Sequence, residues 1–404
     1  MKVCIFVYNN CQHDARVLKE AKTLTESGYD VTIIAVLDKD THPYEERDGF
    51  SILRVDTSPP PEPPVSAKGR PSSFGLLRRL TAKIRSAFAL LRYYRRAWKI
   101  VKSKPGEIYQ CQDLITLPLG YMAKRLYGAR LVYDAYELTT ELAYISRLEK
   151  MGWWVLERFL IRRADEVIAT GTYRAEYLVK KYRIAAPTVI LNCPPLPAAE
   201  ARNRALREKL GLVDDSVHVI LYQGGFISGR GLDKLVLAAA HLERGVLVLM
   251  GWGPLEAELK GLVKKKDLEA RVYFTEPVPP EQVVYYCMSA SVGVVIYQNT
   301  GLNNYYATPN KLYEYIHAGL PVVSSNFPAL SEIVEGYGLG GTFDPEEPKS
   351  IAAAINQVLA DEQRYDTMRK NALEAATIFN WETESRKLLE IYGRLSHRFD
   401  DRTA

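Results

Sequence analysis

The sequence predicts an α/β protein made of two doubly wound parallel-sheet domains in tandem. Three observations carry that expectation. Short runs rich in β-branched and aromatic residues alternate with helical patterns, which is how a parallel sheet covered by helices reads along a chain. The alternation stops at Asn192-Cys193-Pro194-Pro195-Leu196-Pro197, which can continue neither a helix nor a strand, and starts afresh beyond it. Finally, 404 residues, 47% of them hydrophobic and 25% charged, have the length and composition of two globular domains.

Taken in order, Lys2 to Val7 reads as a strand, Asn9 and Asn10 as a turn, and Asp14 through Leu18, Ala21 and Leu24 to Gly28 as a helix, followed by a strand from Val31 to Val36. The same unit recurs at Ile108 to Gln110, Leu114 to Leu126 and Arg130 to Tyr133, and again at Glu166 to Thr170, Tyr173 to Tyr182 and Thr188 to Leu191. Beyond the proline linker, strands are expected at Val217 to Gln223, Val246 to Met250, Val272 to Thr275, Val292 to Ile296 and Pro321 to Ser324. The helices between them fall at Leu232 to His241, Leu255 to Lys265, Glu281 to Ser289, Lys311 to Ala318 and Ala329 to Glu335. The chain is then helical from Pro348 onward. This divides it into an N-terminal domain (residues 1–195), a second domain (196–375) and a helical tail (376–404) able to pack on either. Sheets of this kind bind ligands outside the carboxyl ends of their strands, so a cleft between the two domains is the expected site.

Composition excludes several classes. The longest apolar runs, such as Val292 to Tyr297, fall far short of the roughly 20 residues of a membrane-spanning helix. The N-terminus opens a strand instead of a signal peptide, so a cytoplasmic protein is expected. Five scattered cysteines without a Cys-x-x-Cys pair suggest neither a disulfide framework nor a zinc site, and six dispersed histidines argue against a transition-metal centre. Asp38 to Asp40 reads either as a divalent-ion site or as a solvated loop. Net charge is +10 over residues 1–195 and −5 over 196–404. Lys68 to Lys104 holds twelve basic residues and no acidic one, a field that attracts phosphate, anionic lipid or nucleic acid. Within it, a helix over 74–102 sets Leu76, Leu77, Leu80, Ile84, Ala87, Leu90, Leu91, Tyr94 and Trp98 at helical spacing among Arg and Lys. It suits an anionic membrane surface or, equally, core packing with a solvated basic face. A proline-rich loop precedes it, and no nucleic-acid-binding motif is present.

Two segments carry chemistry. Gln223-Gly224-Gly225-Phe226-Ile227-Ser228-Gly229-Arg230-Gly231 follows a strand and precedes a helix, where backbone amides and Arg230 can meet a phosphate. A purely structural glycine turn is the alternative. Thr308-Pro309-Asn310-Lys311-Leu312-Tyr313-Glu314 is more telling, because Pro309 opens a helix whose free amides suit a diphosphate, with Lys311 beside them. Glu314, one turn further in, is placed to accept hydrogen bonds from a ribose diol. On the other domain, His13, Asp14 and Arg16 follow the first strand, and Asp113 and Glu137 follow later ones. Asp14 reads equally as an acceptor contact and as a helix N-cap.

Together with Gly251-Trp252-Gly253-Pro254 and the opening Asp14-Ala15-Arg16-Val17-Leu18-Lys19-Glu20-Ala21, these segments resemble a retaining glycosyltransferase of GT-B architecture, two Rossmann-like domains, in the large group 1 family that includes sucrose synthase and bacterial polysaccharide and lipid glycosyltransferases. The resemblance implies transfer of a hexose or N-acetylhexosamine from a nucleoside-diphosphate sugar, UDP being commoner than GDP in the family, to a glycan or lipid-linked acceptor hydroxyl. It implies cytoplasmic work at or near the inner membrane face and no cofactor or metal. Glu314 matches the second glutamate of the family's Glu-x7-Glu motif, which binds the ribose. Arg230 stands where lysine usually meets the diphosphate. Gly224, Asn303, Asn304, Asn310, Lys311 and Leu312 match donor contacts, Gly225 and Tyr306 stand at donor-contact positions, and His13, Asp14, Arg16, Asp113 and Glu137 are assigned to the acceptor side.

Three departures accompany the match. Tyr306 replaces the first glutamate, Gly225 replaces a frequent arginine, and Gln112 replaces a histidine that hydrogen-bonds the transferred sugar in relatives. Glutamine cannot serve as a general base. The resemblance implies front-face attack, in which the departing phosphate takes the acceptor proton. Arg230, Lys311 and the helix amides then carry the electrostatic work, with Gln112 at the sugar. Two other readings remain open at this stage. Tyr306 and Gln112 are compatible with a catalytically weak nucleotide-sugar-binding protein. A nicotinamide oxidoreductase would need Gly-x-Gly-x-x-Gly after its first strand, where Tyr8-Asn9-Asn10-Cys11 stands.

Overall fold

The structure, a computed structural model, describes residues 1–58, 75–143, 145–196, 203–214 and 216–403, without the side chains of 75–83 and 397–403. The proline-rich loop past Ser58, Phe74, and the side chains of Leu76, Leu77 and Leu80 therefore lie outside the described residues.

The chain opens with β1 (Lys2–Phe6), α1 (Ala15–Glu26), β2 (Asp30–Leu37), β3 (Tyr44–Arg47), β4 (Phe50–Asp56), α2 (Gly75–Ser103), β5 (Ile108–Gln112), α3 (Asp113–Tyr127), β6 (Arg130–Ala135), α4 (Arg147–Leu160), β7 (Glu166–Ala169), α5 (Thr172–Tyr182) and β8 (Thr188–Val189). The first sheet has the order β3-β4-β2-β1-β5-β6-β7-β8. Its central strands pair in parallel and are buried along nearly their whole length, as strands covered on both faces must be. The antiparallel pair β3–β4 was not expected from the pattern. Its signal was the turn between the strands, Asp48-Gly49, both at positive φ, which is the two-residue hairpin chemistry of a tight β-turn.

The second half runs α6 (Ala205–Lys209), β9 (Val219–Gln223), α7 (Leu232–Ala238), β10 (Val246–Met250), α8 (Glu256–Lys265), β11 (Val272–Thr275), α9 (Val283–Cys287), β12 (Val292–Val295), α10 (Leu302–Tyr305), α11 (Asn310–His317), β13 (Val322–Ser325), α12 (Pro328–Val334), β14 (Gly340–Phe343), α13 (Pro348–Leu359), α14 (Glu362–Ala376) and α15 (Trp381–Thr403). The five strands expected here are all present in a parallel sheet of order β11-β10-β9-β12-β13-β14. Only the edge strand β14, Gly-Gly-Thr-Phe, lacks the apolar run that would announce it. The order reverses at β9, which has β10 on one side and β12 on the other. The carboxyl ends of β9 and β12 are therefore the switch point where a ligand of this sheet sits.

Contacts gather the chain into two compact units: residues 1–136, 156–168 and 389–404 in one, and residues 137–155 and 169–388 in the other. In the first, α15 ends against the sheet, where Tyr392 donates its hydroxyl to Gln110 Oε1 at 2.5 Å and meets the Tyr29 ring edge-on at 5.5 Å. Helix α2 behaves differently along its length. Tyr93, Ala97 and Val101 are buried, with the Tyr93 hydroxyl 3.0 Å from the carbonyls of Val7 and Ile34, whereas Ile84, Phe88 and Leu91 stand exposed. Among the side chains described, core packing belongs to the C-terminal part of this helix.

Candidate active site

The site in the second unit is assembled around the end of β9. The strand's apolar residues bury it, and the chain then turns through Gly224, whose φ of +128° favours glycine. A Cβ at Gly224 would lie 3.0 Å from Lys311 Nζ, so the missing side chain is what lets the lysine come in over the loop. The loop is fixed from the other side by the turn after β10. Gly224 N–H donates to the Met250 carbonyl at 2.9 Å and Phe226 N–H to the Trp252 carbonyl at 2.8 Å. Gly251 must be glycine, because a Cβ there would fall 2.0 Å from the Gly224 carbonyl oxygen.

Helix α11 brings the second half of the site. Tyr315 anchors it: its hydroxyl donates to the Leu221 carbonyl at 3.1 Å and accepts from Gln223 N–H at 3.0 Å. Its ring lies so close to β12 that a Cβ at Gly293 would fall 2.4 Å away. The helix start is thereby held at the carboxyl end of β9. Pro309 occupies the N-cap position and no side chain caps the first turn, which leaves the helix amides for a ligand.

Two cations converge on this place. Lys311 is only 7% exposed, with its ammonium 3.8 Å from the centroid of the Tyr222 ring. The Arg230 guanidinium carbon sits 3.9 Å over the Tyr297 ring, and its Nη1 is buried without a hydrogen-bond partner. Among the described residues neither cation pairs with a carboxylate; each rests on an aromatic face. Burial first, and the nearby Arg230 second, pull the Lys311 ammonium well below its ordinary pKa, with Glu314 opposing them. Two underpaired positive charges beside open helix amides make a receptor for an anion. Glu314 accepts a hydrogen bond from the Gln223 side chain. Sequence reasoning placed Gln223 at the head of the glycine segment without giving it a role, and missed Tyr222 and Tyr297, which support the site's cations and read only as strand core.

The remaining donor-side residues divide by role. Asn304 donates to Thr300 Oγ1 at 2.9 Å and to the Gly229 carbonyl at 3.2 Å, bracing the Arg230 loop. Asn303 is buried, and its side-chain oxygen accepts from Leu138 N–H at 2.9 Å and from Arg174 Nη2 at 3.0 Å. Asn310 accepts from Asn192 Nδ2 at 2.8 Å. Leu312 is a core side chain, so only its backbone faces the helix start. Tyr306 stacks on Tyr173 at 5.8 Å and adjoins Tyr177 and Tyr305, so that its ring is used in an aromatic cluster. Gly225 is exposed on the turn, its carbonyl accepting from the Tyr222 hydroxyl. Glu137 belongs to this unit too; burial raises the Tyr297 hydroxyl pKa, Arg230 and Arg174 oppose it, and the Glu137 charge adds a smaller upward push.

In the first unit the expectations need correction. Gln112 and Arg16 were expected at an open substrate face, and the structure places both inside. Gln112 is 5% exposed and donates to Glu20 Oε2 at 2.9 Å; Gln110 donates to the same oxygen at 2.6 Å. Arg16 Nε lies 2.7 Å from Asp134 and 3.0 Å from Glu20. The physical reason is periodicity: Arg16 and Glu20 fall on the inward face of α1 with Val17, Ala21 and Leu24. Burial raises the Glu20 carboxyl above its ordinary range. Asp14 is the N-cap, its Oδ1 accepting from Val17 N–H at 3.3 Å, and Asn9 donates to its other oxygen at 2.8 Å. His13 is exposed just before it. Asp113 starts α3 with a φ of +60°. The Asp38–Asp40 segment is a hydrogen-bonded turn on Asn10 and Thr41, and no metal-ligating cluster occurs among the described residues.

Two family models match, Glycosyl transferase 4-like domain over residues 14–194 and Glycosyl transferases group 1 over 203–375. The chain belongs to the group 1 glycosyltransferases. A D-inositol 3-phosphate glycosyltransferase from Xylanimonas cellulosilytica is 27% identical to it over 297 residues, 69% of this chain and 70% of that one. Among solved structures, the sucrose-phosphate synthase of Thermosynechococcus elongatus superposes with a TM-score of 0.77 at 19% identity, over 98% of this glycosyltransferase and 100% of that chain. Anabaena HepE, solved in complex with UDP-glucose, gives 0.72 at 16% over 98% and 100%. The two α/β units of this glycosyltransferase are the GT-B fold.

Proposed function

We propose that this glycosyltransferase uses a nucleoside-diphosphate sugar, UDP before GDP, and retains the anomeric configuration as it moves a hexose or N-acetylhexosamine to a hydroxyl of a glycan or lipid-linked acceptor. One observation carries the donor part of that reading: Arg230 and Lys311 meet beside the uncapped start of α11 without a carboxylate between them. A diphosphate leaving group supplies the missing negative charge. As the bond from the sugar's anomeric carbon to the phosphate oxygen breaks, charge accumulates on that oxygen. Preorganised cations and amides in a desolvated pocket stabilise it without a metal. The acceptor oxygen bonds to the anomeric carbon on the same face, and its proton passes to the departing phosphate. No protein nucleophile or base is then needed, which agrees with a buried Gln112 that acts only through the packing around Glu20. Glu314, steadied by Gln223, is assigned to the ribose diol.

The structural relative HepE, solved with UDP-glucose, supports the donor class. Calorimetric titration with UDP and GDP tests the base, and nuclear magnetic resonance of the product's anomeric proton tests retention. A product of inverted configuration would overturn the mechanism while leaving the donor site in place.

A further inference from the structure

We propose that Trp252 is the platform on which the base of the nucleotide donor stacks. The inference rests on the donor reading above and adds the one part of a nucleoside diphosphate that Arg230, Lys311 and Glu314 leave unheld. At 68% exposed, Trp252 is the most exposed aromatic side chain among the described residues, although tryptophan is on average a well-buried residue. Its backbone is nonetheless fixed on two sides. In the turn after β10, Gly251 N–H donates to the Thr275 carbonyl at the end of β11 at 3.0 Å, and the Trp252 carbonyl accepts from Phe226 N–H at 2.8 Å. Gly253 packs so closely on the loop after β9 that a Cβ there would fall 2.4 Å from the Phe226 carbonyl oxygen, which also accepts from Leu255 N–H at 3.1 Å. The indole is therefore carried by a turn clamped to the same loop that carries Arg230, with most of its surface left to solvent.

Position identifies the occupant. The sheet order sets β9 between β12 and β10. Arg230 rests on Tyr297, just past the end of β12, Lys311 rests on Tyr222 of β9, and Glu314 accepts from Gln223, the last residue of β9. The diphosphate cations and the ribose carboxylate thus step across the sheet from β12 to β9. Gln223 is paired with Met250 in the ladder, and Trp252 follows two residues later, one strand spacing of about 5 Å further in the same direction. A nucleoside diphosphate has its parts in that order, with the base on the far side of the ribose from the phosphates. The transferred sugar hangs from the other end of the diphosphate, so the flat ring that reaches the end of β10 is the base. Every base has a π face for an indole to cover, so the platform adds affinity without choosing among bases.

The test compares the full wild-type chain with W252A and W252F in calorimetric titrations of UDP, GDP and inorganic pyrophosphate. W252A is expected to bind both nucleotides about tenfold more weakly or worse, with pyrophosphate affinity and melting temperature unchanged, and W252F to recover most of the loss. Indole emission of the wild type should be quenched by UDP and not by pyrophosphate, and that quenching should be missing from W252F. Equal UDP affinity in wild type and W252A, equal losses for UDP and pyrophosphate, or undiminished quenching in W252F overturns the proposal and leaves the donor site standing. Failure of the wild type to bind either nucleotide overturns the donor reading, and this inference with it.

Discussion

The two buried charge clusters of this glycosyltransferase are opposites. In the first unit the charges are paired: Arg16 faces two carboxylates, Glu20 and Asp134, and Glu20 also accepts amide hydrogen bonds from Gln110 and Gln112. In the second unit Arg230 and Lys311 form no ion pair among the described residues and are supported by Tyr297 and Tyr222. A cation already paired with carboxylates has little need of an anionic ligand, whereas the unpaired cations are costly until one arrives. The comparison teaches that burial and charge by themselves do not mark a site; the sign left uncompensated does.

The largest effect expected from this contrast is on stability. Arg16→Met leaves two carboxylates buried with their cation gone, and should cost about 3–5 kcal/mol in denaturant unfolding of the first unit. A cost below about 1 kcal/mol would mean that water relaxes the cluster, and the comparison would lose one of its terms. Arg230→Ala should do the converse. It should lower kcat by about 10²–10³, equivalent to about 2.7–4 kcal/mol, by analogy with loss of an oxyanion-hole donor. Unfolding should shift by no more than about 0.5 kcal/mol, as for a side chain whose loss breaks no buried pair. Steady-state kinetics and melting on the same preparation separate the two; loss of stability with turnover retained would make the loop structural.

Lys311 sharpens the point through pH. Its folded pKa is lowered, so the unfolded chain binds more protons than the folded one between that lowered value and the ordinary lysine value. Stability should therefore rise with pH across this window, and the rise should vanish in Lys311→Met. At neutral pH the variant should be more stable than wild type, while donor affinity is lost. UDP binding should raise the lysine's pKa and draw protons from a weakly buffered solution, which calorimetry in two buffers would detect.

How much of this was legible in the sequence depends on the kind of signal. The strands of the second sheet and the placement of Arg230, Lys311 and Glu314 were readable because apolar runs, a proline at a helix start and a glycine turn are local features. Tyr222 and Tyr297 were not, since an aromatic residue in a strand looks the same whether it fills a core or carries a cation on its face. The error at Gln112 and Arg16 has the same root. Both follow or end strands at the expected depth, but the inward face of α1 depends on Glu20 and Asp134, which are distant in sequence and adjacent in space. Hairpin β3–β4 is a different case: Asp48-Gly49 announced it, and the polar Tyr44–Arg47 strand concealed it.

Asp14 is the one residue for which both kinds of reading survive, and the effect expected there is the smallest. It caps α1 through Val17 N–H, and its second oxygen takes a hydrogen bond from Asn9, next to exposed His13. Asp14→Ala should cost about 1 kcal/mol, the usual worth of an N-cap, and by itself cannot separate capping from contact with an acceptor. Asp14→Ser can, because serine caps as well as aspartate but carries no charge. If Asp14 serves the helix alone, the serine variant keeps both melting temperature and kcat/KM. If it also accepts a hydrogen bond from the acceptor hydroxyl, melting is kept while KM for the acceptor rises and KM for the donor does not, which would place the first unit's polar edge among the substrate contacts that its buried network does not supply.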